Sequence, residues 1–257
     1  MDHTCRHVAA VDLALSGKVY VVTGGSRGLG YAGAAALLAE GARVVIASRD
    51  PGRVAAAAAS LDCTGLALDL ADPTAADRLV EGAITAYGRL DGALLRVGGP
   101  PAGTALGLTD EQWRGAFEGI FIEVVRVCRA VVAALPAVGG SLALVLSTSV
   151  KMPIGGLAAS NGLRPGLAML AKTMADELGP QGVRVNCLLP GRIATDRLDE
   201  LYGTDPAVRH RLTEGVPLRR DGGPAEFGRA AAFLLSPAAS YITGAMLPVD
   251  GGMLRSL

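Results

Sequence analysis

The stretch Val19-Tyr20-Val21-Val22-Thr23-Gly24-Gly25-Ser26-Arg27-Gly28-Leu29-Gly30 opens the regular part of the chain. Its first residues form a short aliphatic run, and its glycines stand where a strand would turn into a helix. Glycine permits a positive φ and lets backbone amides approach a phosphate, while a helix N-terminus adds partial positive charge. At a first strand–helix turn this pattern predicts a site for the pyrophosphate of a dinucleotide. The alternative is a tight turn that only allows close helix packing.

Short aliphatic runs recur along the rest of the chain and have the length and branching of strands buried on both faces. They follow the first run, 19–22, at 44–47, 65–68, 93–95, 142–146, 183–189 and 245–249. Helical stretches are expected between them at 28–40, 50–60, 73–87, 157–179 and 225–235. Another helix should begin at Thr109, a good N-cap that two acidic residues follow. This alternation predicts an α/β fold, a doubly wound, seven-stranded parallel sheet with helices on both faces.

Composition excludes several classes of protein. Half of the 257 residues are hydrophobic, which excludes intrinsic disorder, and 24 basic and 24 acidic side chains leave no basic surplus for nucleic acid. The most apolar stretch, 130–146, is broken by a proline and two glycines, so no membrane span is expected. Four cysteines without paired spacing suit neither a disulfide framework nor a zinc site and suggest a reducing, cytoplasmic compartment.

The chain is expected to form one domain over 15–257 after a flexible N-terminal tail, 1–14. Asp2, His3, Cys5 and His7 stand close together in that tail, but a metal site needs a scaffold and a flexible terminus is the favoured interpretation. No metal site is predicted. The charged segment 192–217 has little strand signal and is expected to form a loop or lid beside the active cleft.

Several motifs together resemble the short-chain dehydrogenases/reductases, especially the branch that includes 3-oxoacyl-acyl-carrier-protein reductases. They are the TGxxxGxG turn, Asp69-Leu70 after the third strand, Arg184-Val185-Asn186 leading to Pro190-Gly191, and Val249-Asp250-Gly251-Gly252. The resemblance covers nearly all of 15–253. It implies a Rossmann-type sheet, a nicotinamide cofactor and a homodimer or homotetramer.

The residues after the second strand favour NADP(H) over NAD(H). NAD enzymes place a carboxylate there, whereas this chain reads Ala47-Ser48-Arg49 with no acid before Asp50. Arg27 and Arg49 are suited to grip a 2′-phosphate, although both could instead be solvated surface charges. The resemblance implies cofactor contacts from Gly24, Ser26, Arg27, Gly28, Leu29, Gly30, Ser48, Arg49, Asp69, Leu70, Gly98, Arg164, Pro190, Gly191, Ile193 and Thr195.

The usual catalytic residues of this family are missing at the expected positions. The family uses a tyrosine with a lysine four residues later, and ungapped counting from Arg184 places Ser160 and Arg164 there. The usual helix asparagine falls on Ile120, and the Asn-Ala-Gly after the fourth strand reads Arg96-Val97-Gly98. Only the serine region, Ser147-Thr148-Ser149, looks intact. Whether Arg96 reaches the cofactor phosphates, bridges to an acid or weakens binding stays open.

These replacements predict a non-standard proton donor. An aliphatic alcohol cannot be tuned towards neutrality as a phenol can, and arginine is a poor proton shuttle. Ser160 and Arg164 lie one helical turn apart, so both should face the nicotinamide ribose. Ser149-Val150-Lys151-Met152-Pro153 resembles a divergent branch of the family, which makes Lys151 a candidate acid or, equally, a solvated loop lysine. Candidate catalytic residues are Ser147, Ser149, Lys151, Ser160 and Arg164, with Tyr202 and His210 weaker.

The leading hypothesis is an NADP(H)-dependent oxidoreductase that moves hydride between the nicotinamide and a carbonyl, alcohol or activated alkene. Two alternatives stay open: a dehydratase, isomerase or cyclase without net redox chemistry, and a catalytically silent dinucleotide-binding protein. The substrate is expected to be a small molecule. Part of it should be apolar, because Leu198, Leu201, Tyr202 and Leu212 lie in the predicted lid.

Overall fold

The aliphatic runs form one parallel sheet in the computed structural model, which describes residues 12–255. The strand order is β3-β2-β1-β4-β5-β6-β7, and every neighbouring pair is parallel. The predicted doubly wound α/β fold is therefore confirmed. The strands are β1 Val19–Thr23, β2 Arg43–Ser48, β3 Thr64–Ala67, β4 Gly92–Arg96, β5 Gly140–Val145, β6 Val183–Pro190 and β7 Met246–Val249.

Helices connect the strands close to the predicted positions. They are α1 Gly28–Ala39, α2 Pro51–Leu61, α3 Ala75–Tyr87, α4 Asp110–Phe117, α5 Glu123–Ala134, α6 Ala158–Leu178, α7 Asp196–Tyr202, α8 Pro206–Thr213 and α9 Pro224–Leu235. Thr109 caps α4 in a reciprocal arrangement with Gln112, and the Asp50 side chain caps α2. The single helix expected from Thr109 is divided, since a π-helical turn, Glu118–Ile122, separates α4 from α5.

Two hydrophobic layers cover the faces of the sheet. One packs α3, α4, α5 and α6 through residues such as Leu79, Val124 and Leu167, and the other packs α1, α2 and α9 through Leu37 and Phe227. The central strands are buried on both faces. The same expectation was wrong for β3 and β7, which are only partly buried because they form the two edges of the sheet.

The order of the strands reverses between β1 and β4, and their carboxyl ends are joined by side-chain bonds. The Thr23 hydroxyl accepts from the Arg96 amide at 2.8 Å and donates to the Arg96 carbonyl at 3.3 Å. In an open parallel sheet such a reversal creates a crevice above the strand ends, where ligands bind. The glycine turn after β1 and the residues after β4 form the two sides of this crevice.

The Arg184-Val185-Asn186 motif on β6 is structural. Arg184 donates to the carbonyls of Leu234, Leu235, Ser236 and Ile242 at 2.7–3.3 Å, which satisfies the carboxyl end of α9. Asn186 bonds the backbone of Ile242 and Ala245 at 2.9 Å. Both side chains fix the connection between α9 and β7.

The segment 192–217 contains α7 and α8 and no strand. Arg192 bonds Asp221 at 2.8 Å, and Ile193 pairs with Gly222, so the start of the segment is held against the chain that leads into α9. Within residues 12–255 no helix is both long and apolar enough to cross a membrane, and no cluster of potential metal ligands occurs. The four tail residues considered as metal ligands lie outside the described residues.

Candidate functional site

Two cavities meet in the crevice above the carboxyl ends of the strands. The first, of about 440 Å³, is lined by Ser147, Ser160 and Arg164 and is called the serine cavity. The second, of about 880 Å³, is lined by Ser48, Arg49 and Asp69 and is called the Arg49 cavity. Four residues line both cavities and mark the boundary between them: Arg27, Arg96, Gly99 and Pro100.

The structure brings nearly all the predicted cofactor residues to these cavities. The serine cavity receives Arg27, Gly28, Leu29, Arg164, Pro190, Gly191, Ile193 and Thr195. The Arg49 cavity receives Gly24, Ser26, Arg27, Ser48, Arg49, Asp69, Leu70 and Gly98. Among the predicted set Gly30 alone lines neither. A Cβ built on Gly30 would lie 2.3 Å from the Gly24 carbonyl oxygen, so this glycine allows α1 to pack against the turn.

The glycine turn has the conformation that the sequence predicts. Gly24 and Gly28 have φ values of +61° and +59°, which side-chain-bearing residues rarely adopt. The turn leads directly into α1, whose first amides have no acceptor within the helix. This is the backbone geometry that binds phosphate at helix N-termini.

Arg27 is engaged with α7. Its Nη1 lies 3.4 Å from the Asp196 carboxylate and 3.5 Å from the Glu200 carboxylate. Half of the Arg27 side chain is exposed, so these ion pairs are weak individually. They nevertheless join the glycine turn to the 192–217 segment, a contact that the sequence did not indicate.

Ser48 and Arg49 are available in the Arg49 cavity. The Ser48 hydroxyl is buried and has no hydrogen-bond partner, and Arg49 is exposed with no ion pair among the described residues. Asp50 is occupied because it caps α2 and pairs with Arg53 at 3.2 Å. The first acid after β2 is thereby turned towards its own helix.

The serines of the serine cavity form a short hydrogen-bonded group. The Ser147 hydroxyl accepts from the Ser149 amide at 3.1 Å, and the hydroxyls of Ser149 and Ser160 lie 3.0 Å apart. Ser147 and Ser160 line the cavity, whereas Ser149 is buried behind them. Ser160 is thus held by a neighbour eleven residues earlier in the chain.

Among the described residues, the buried Arg164 cation is held only by backbone carbonyls. It donates to Leu146 O at 2.6 Å and to Gly98 O at 2.8 Å, and its Nε has no partner. Burial lowers its pKa to about 10, and the positive charges of Arg96 and Arg197 contribute to the lowering. Its guanidinium nevertheless stays protonated at neutral pH. The Nε is thus a buried, unused donor on a residue that lines the serine cavity.

The remaining catalytic candidates lie elsewhere. Lys151 is exposed and does not line either cavity, so the structure does not place it in the partly desolvated position that a lysine acid requires. His210 is exposed, 3.7 Å from the Glu214 carboxylate, and is also outside both cavities. The side chain of Tyr202 is not among those described. Ile120 is buried in the π-helical turn, on the wall of the Arg49 cavity.

Several charged residues at the site were missed by the sequence interpretation, namely Arg53, Glu123, Arg192, Asp196 and Arg197. Arg197 lines the serine cavity, and a Cβ built on Gly99 would lie 3.6 Å from its guanidinium. Glu123 lines the Arg49 cavity, where burial, with repulsion from Asp69, raises the pKa of its carboxyl to about 7. The charge of 192–217 was a signal for Arg197. The signal for Glu123 was its position three residues after Ile120, on the same helix face towards the Arg49 cavity.

Comparisons with known proteins agree with this geometry. The profile of a family described as enoyl-(acyl carrier protein) reductase matches residues 24–254. The chain is 36% identical over 249 residues to an uncharacterized oxidoreductase of Mycobacterium tuberculosis (strain CDC 1551 / Oshkosh), with 93% of each chain covered.

Two solved structures share both fold and sequence with the chain. L-sorbose reductase from Gluconobacter frateurii, complexed with NADPH and L-sorbose, is 31% identical with a TM-score of 0.90, over 96% of this chain and all of that one. An NADPH-bound short chain oxidoreductase from Pseudomonas aeruginosa PAO1 containing an atypical catalytic center is 30% identical, with a TM-score of 0.88, over 93% of this chain and 98% of that one. The chain therefore belongs to the short-chain dehydrogenase/reductase family and is an NAD(P)-dependent oxidoreductase.

Proposed function

We propose that this protein is an NADP(H)-dependent oxidoreductase in which water, not a tyrosine, supplies the proton. When bound, the cofactor would supply hydride from C4 of its nicotinamide to a carbonyl or an activated alkene, or accept hydride there from an alcohol. The observation that carries the proposal is the convergence of the glycine turn, Ser147, Ser160 and the orphaned Arg164 Nε on the serine cavity.

The residues at the site fit a dinucleotide. The positive φ of Gly24 and Gly28 and the free amides of α1 suit a pyrophosphate. The unpartnered Ser48 hydroxyl suits the adenosine ribose in the Arg49 cavity, and the orphaned Arg164 Nε suits the nicotinamide ribose in the serine cavity. A buried donor without a hydrogen-bond partner raises the free energy of the fold. A ligand that supplies an acceptor to each of these two donors would remove that cost.

The preference for the 2′-phosphate rests on Arg49. Its guanidinium forms no ion pair among the described residues, whereas Arg27 is paired with α7 and the Asp50 carboxylate is engaged by Arg53. Arg49 would therefore bind the 2′-phosphate, and Arg27 would join it only by leaving Asp196 and Glu200. The two NADPH complexes among the similar structures support this choice.

The side chains at the serine cavity would position the substrate, but they would not donate the proton. Ser147 would donate a hydrogen bond to the substrate oxygen, since it lines the cavity and its hydroxyl only accepts from the Ser149 amide among the described residues. Ser160 would donate a second one, with its own oxygen held by Ser149 at 3.0 Å. Serine alcohols do not ionise near neutrality, so the proton would come from water entering the cavity. Arg164 would fix the ribose and stabilise negative charge on the reacting oxygen.

The substrate would combine one polar end with an apolar body. Leu198 and Leu212 line the serine cavity together with Ile154 and Leu157, as the predicted apolar lid requires. Segment 192–217 would act as that lid.

The protein would form a homodimer or homotetramer. Phe117, which stacks on Phe121, and Met169 are left exposed on α4 and α6, as a surface that another subunit covers would be. A single-subunit mass in solution would contradict this proposal.

The test is a turnover assay with NADPH or NADH over a panel of ketones, aldehydes, sugars and enones, with product identified by mass spectrometry. Consumption of NADPH matched by reduced product supports the proposal, and Ser147→Ala should lower kcat while Lys151→Ala leaves it unchanged. Product without NADPH consumption would indicate the non-redox alternative. Binding of NADPH without turnover of any compound would indicate a silent dinucleotide-binding protein.

A further inference from the structure

Arg96 occupies an unusual place at the end of β4. Its side chain lies over the α-carbon of Gly24, since a Cβ built there would be 2.7 Å from Arg96 Cδ. Its backbone is fixed by the two bonds to Thr23. The side chain is therefore directed by a rigid strand end into the cradle that the glycine turn forms.

The Arg96 guanidinium is largely buried without a counterion. In the part of the chain that the structure describes, it makes no hydrogen bond and no ion pair. Burial lowers its pKa, and Arg27, Arg197 and Arg49 lower it further. Glu200 acts in the opposite direction, but that carboxylate already pairs with Arg27 and Arg197. A buried cation among other cations is unfavourable unless an anion joins it.

The position of Arg96 identifies the anion. It is one of the four residues shared by the serine cavity and the Arg49 cavity, so any ligand that fills both must pass it. The middle of a nicotinamide dinucleotide is its pyrophosphate. We infer that Arg96 binds the cofactor pyrophosphate opposite the backbone amides of the glycine turn. This inference rests on the proposed function, because it requires the dinucleotide to span both cavities.

The chemistry of the side chain suits this role. A planar guanidinium presents parallel N–H groups that match two phosphate oxygens, and it stays charged even where burial lowers its pKa. Gly24 contributes by lacking the Cβ that would collide with Arg96. Arg27 directs its positive charge towards the carboxylates of α7. Arg96 would therefore supply the positive charge at the pyrophosphate.

The experiment compares binding of four ligands to the full-length protein by isothermal titration. ADP-ribose, NADH and NADPH contain a pyrophosphate, whereas adenosine 2′-monophosphate does not. Arg96→Met should weaken all three pyrophosphate ligands by about 10- to 100-fold, the loss of one charge-assisted contact. Adenosine 2′-monophosphate should bind the variant within about threefold of the wild type. Arg96→Lys should restore part of the lost affinity as a point charge.

Arg78→Met is the matched charge control. Arg78 is exposed, lines neither cavity and pairs with Asp72 at 3.8 Å, so its loss should change ADP-ribose affinity by less than about threefold. Equal losses in both variants would show that only the general positive field matters and would overturn the inference.

Two other outcomes would also overturn it. Unchanged or tighter ADP-ribose binding by Arg96→Met would show that the side chain does not contact the pyrophosphate or obstructs it. Unchanged dinucleotide binding with a raised KM only for carboxylate-bearing substrates would assign Arg96 to the substrate instead. Failure of the wild type to bind any dinucleotide would reject the proposed function itself, which is a different result.

Discussion

Replacing Arg164 by methionine tests whether this buried cation serves cofactor binding or the stability of the fold. Two contributions to the free energy of unfolding oppose each other at this residue. Its two hydrogen bonds to Leu146 O and Gly98 O stabilise the fold by about 1.5–3 kcal/mol each. Burial beside Arg96 and Arg197 lowers the pKa of Arg164 from its ordinary value to about 10, which corresponds to about 3 kcal/mol against the charged form. Arg164→Met should therefore cost only about 0–3 kcal/mol.

Arg184→Met is the matched control. Arg184 is also partly buried and bonded to carbonyls, but it makes four such bonds, three of them at the carboxyl end of α9, where a positive charge is favourable. No arginine contributes to the lowering of its pKa, which comes from burial. Its removal should cost about 3–5 kcal/mol, because the helix end loses its partners.

The assay is urea unfolding followed by circular dichroism, with and without NADPH. At one hundred times Kd the cofactor should add about 2.7 kcal/mol to the free energy of unfolding of the wild type. Arg164→Met should lose most of this increment and most of kcat, whereas Arg184→Met should keep the increment. Arg164→Met could instead be as destabilised as Arg184→Met and still gain the full increment from NADPH. Arg164 would then be structural and would not bind the cofactor.

Three further changes test separate parts of the site. Arg49→Met should weaken NADPH about 10- to 100-fold and NADH less than about threefold in a titration, since only NADPH has the 2′-phosphate; equal losses would contradict this. NADH should bind less tightly as pH rises through about 7, because ionisation of Glu123 adds negative charge to the Arg49 cavity, and Glu123→Gln should flatten that profile. Gly30→Ala should lower the free energy of unfolding by about 1–3 kcal/mol through collision with Gly24, whereas Gly155→Ala, with open space, should be nearly neutral.

The sequence was sufficient to predict the fold and most of the residues that line the crevice. Aliphatic runs, turn glycines and caps such as Thr109 act locally, so their consequences can be predicted from neighbouring residues. Burial of β3 and β7 could not be predicted in the same way. Whether a strand lies at an edge depends on the order of the strands, which residues far apart in the chain determine.

The details of the serine cavity depend on contacts between distant segments. The bond between Ser149 and Ser160 depends on how α6 begins, and the pairing of Arg27 with α7 joins residues about 170 positions apart. The motif around Lys151 made this residue a candidate acid, but the motif does not determine whether the lysine is buried, and its side chain is exposed. The π-helical turn at Glu118–Ile122 interrupts a helical pattern that reads as continuous.

Hydride transfer from NADPH at a site that takes its proton from water can be followed with an isotope. The experiment uses NADPH deuterated at the transferable C4 position with a reducible substrate, in H₂O and in D₂O. We expect one deuterium from the cofactor on the carbon of the product, and a rate that Ser160→Ala lowers without abolishing it, because water supplies the proton. Product without cofactor deuterium would exclude hydride transfer from NADPH, and a turnover that Ser160→Ala abolishes entirely would exclude water as the proton donor.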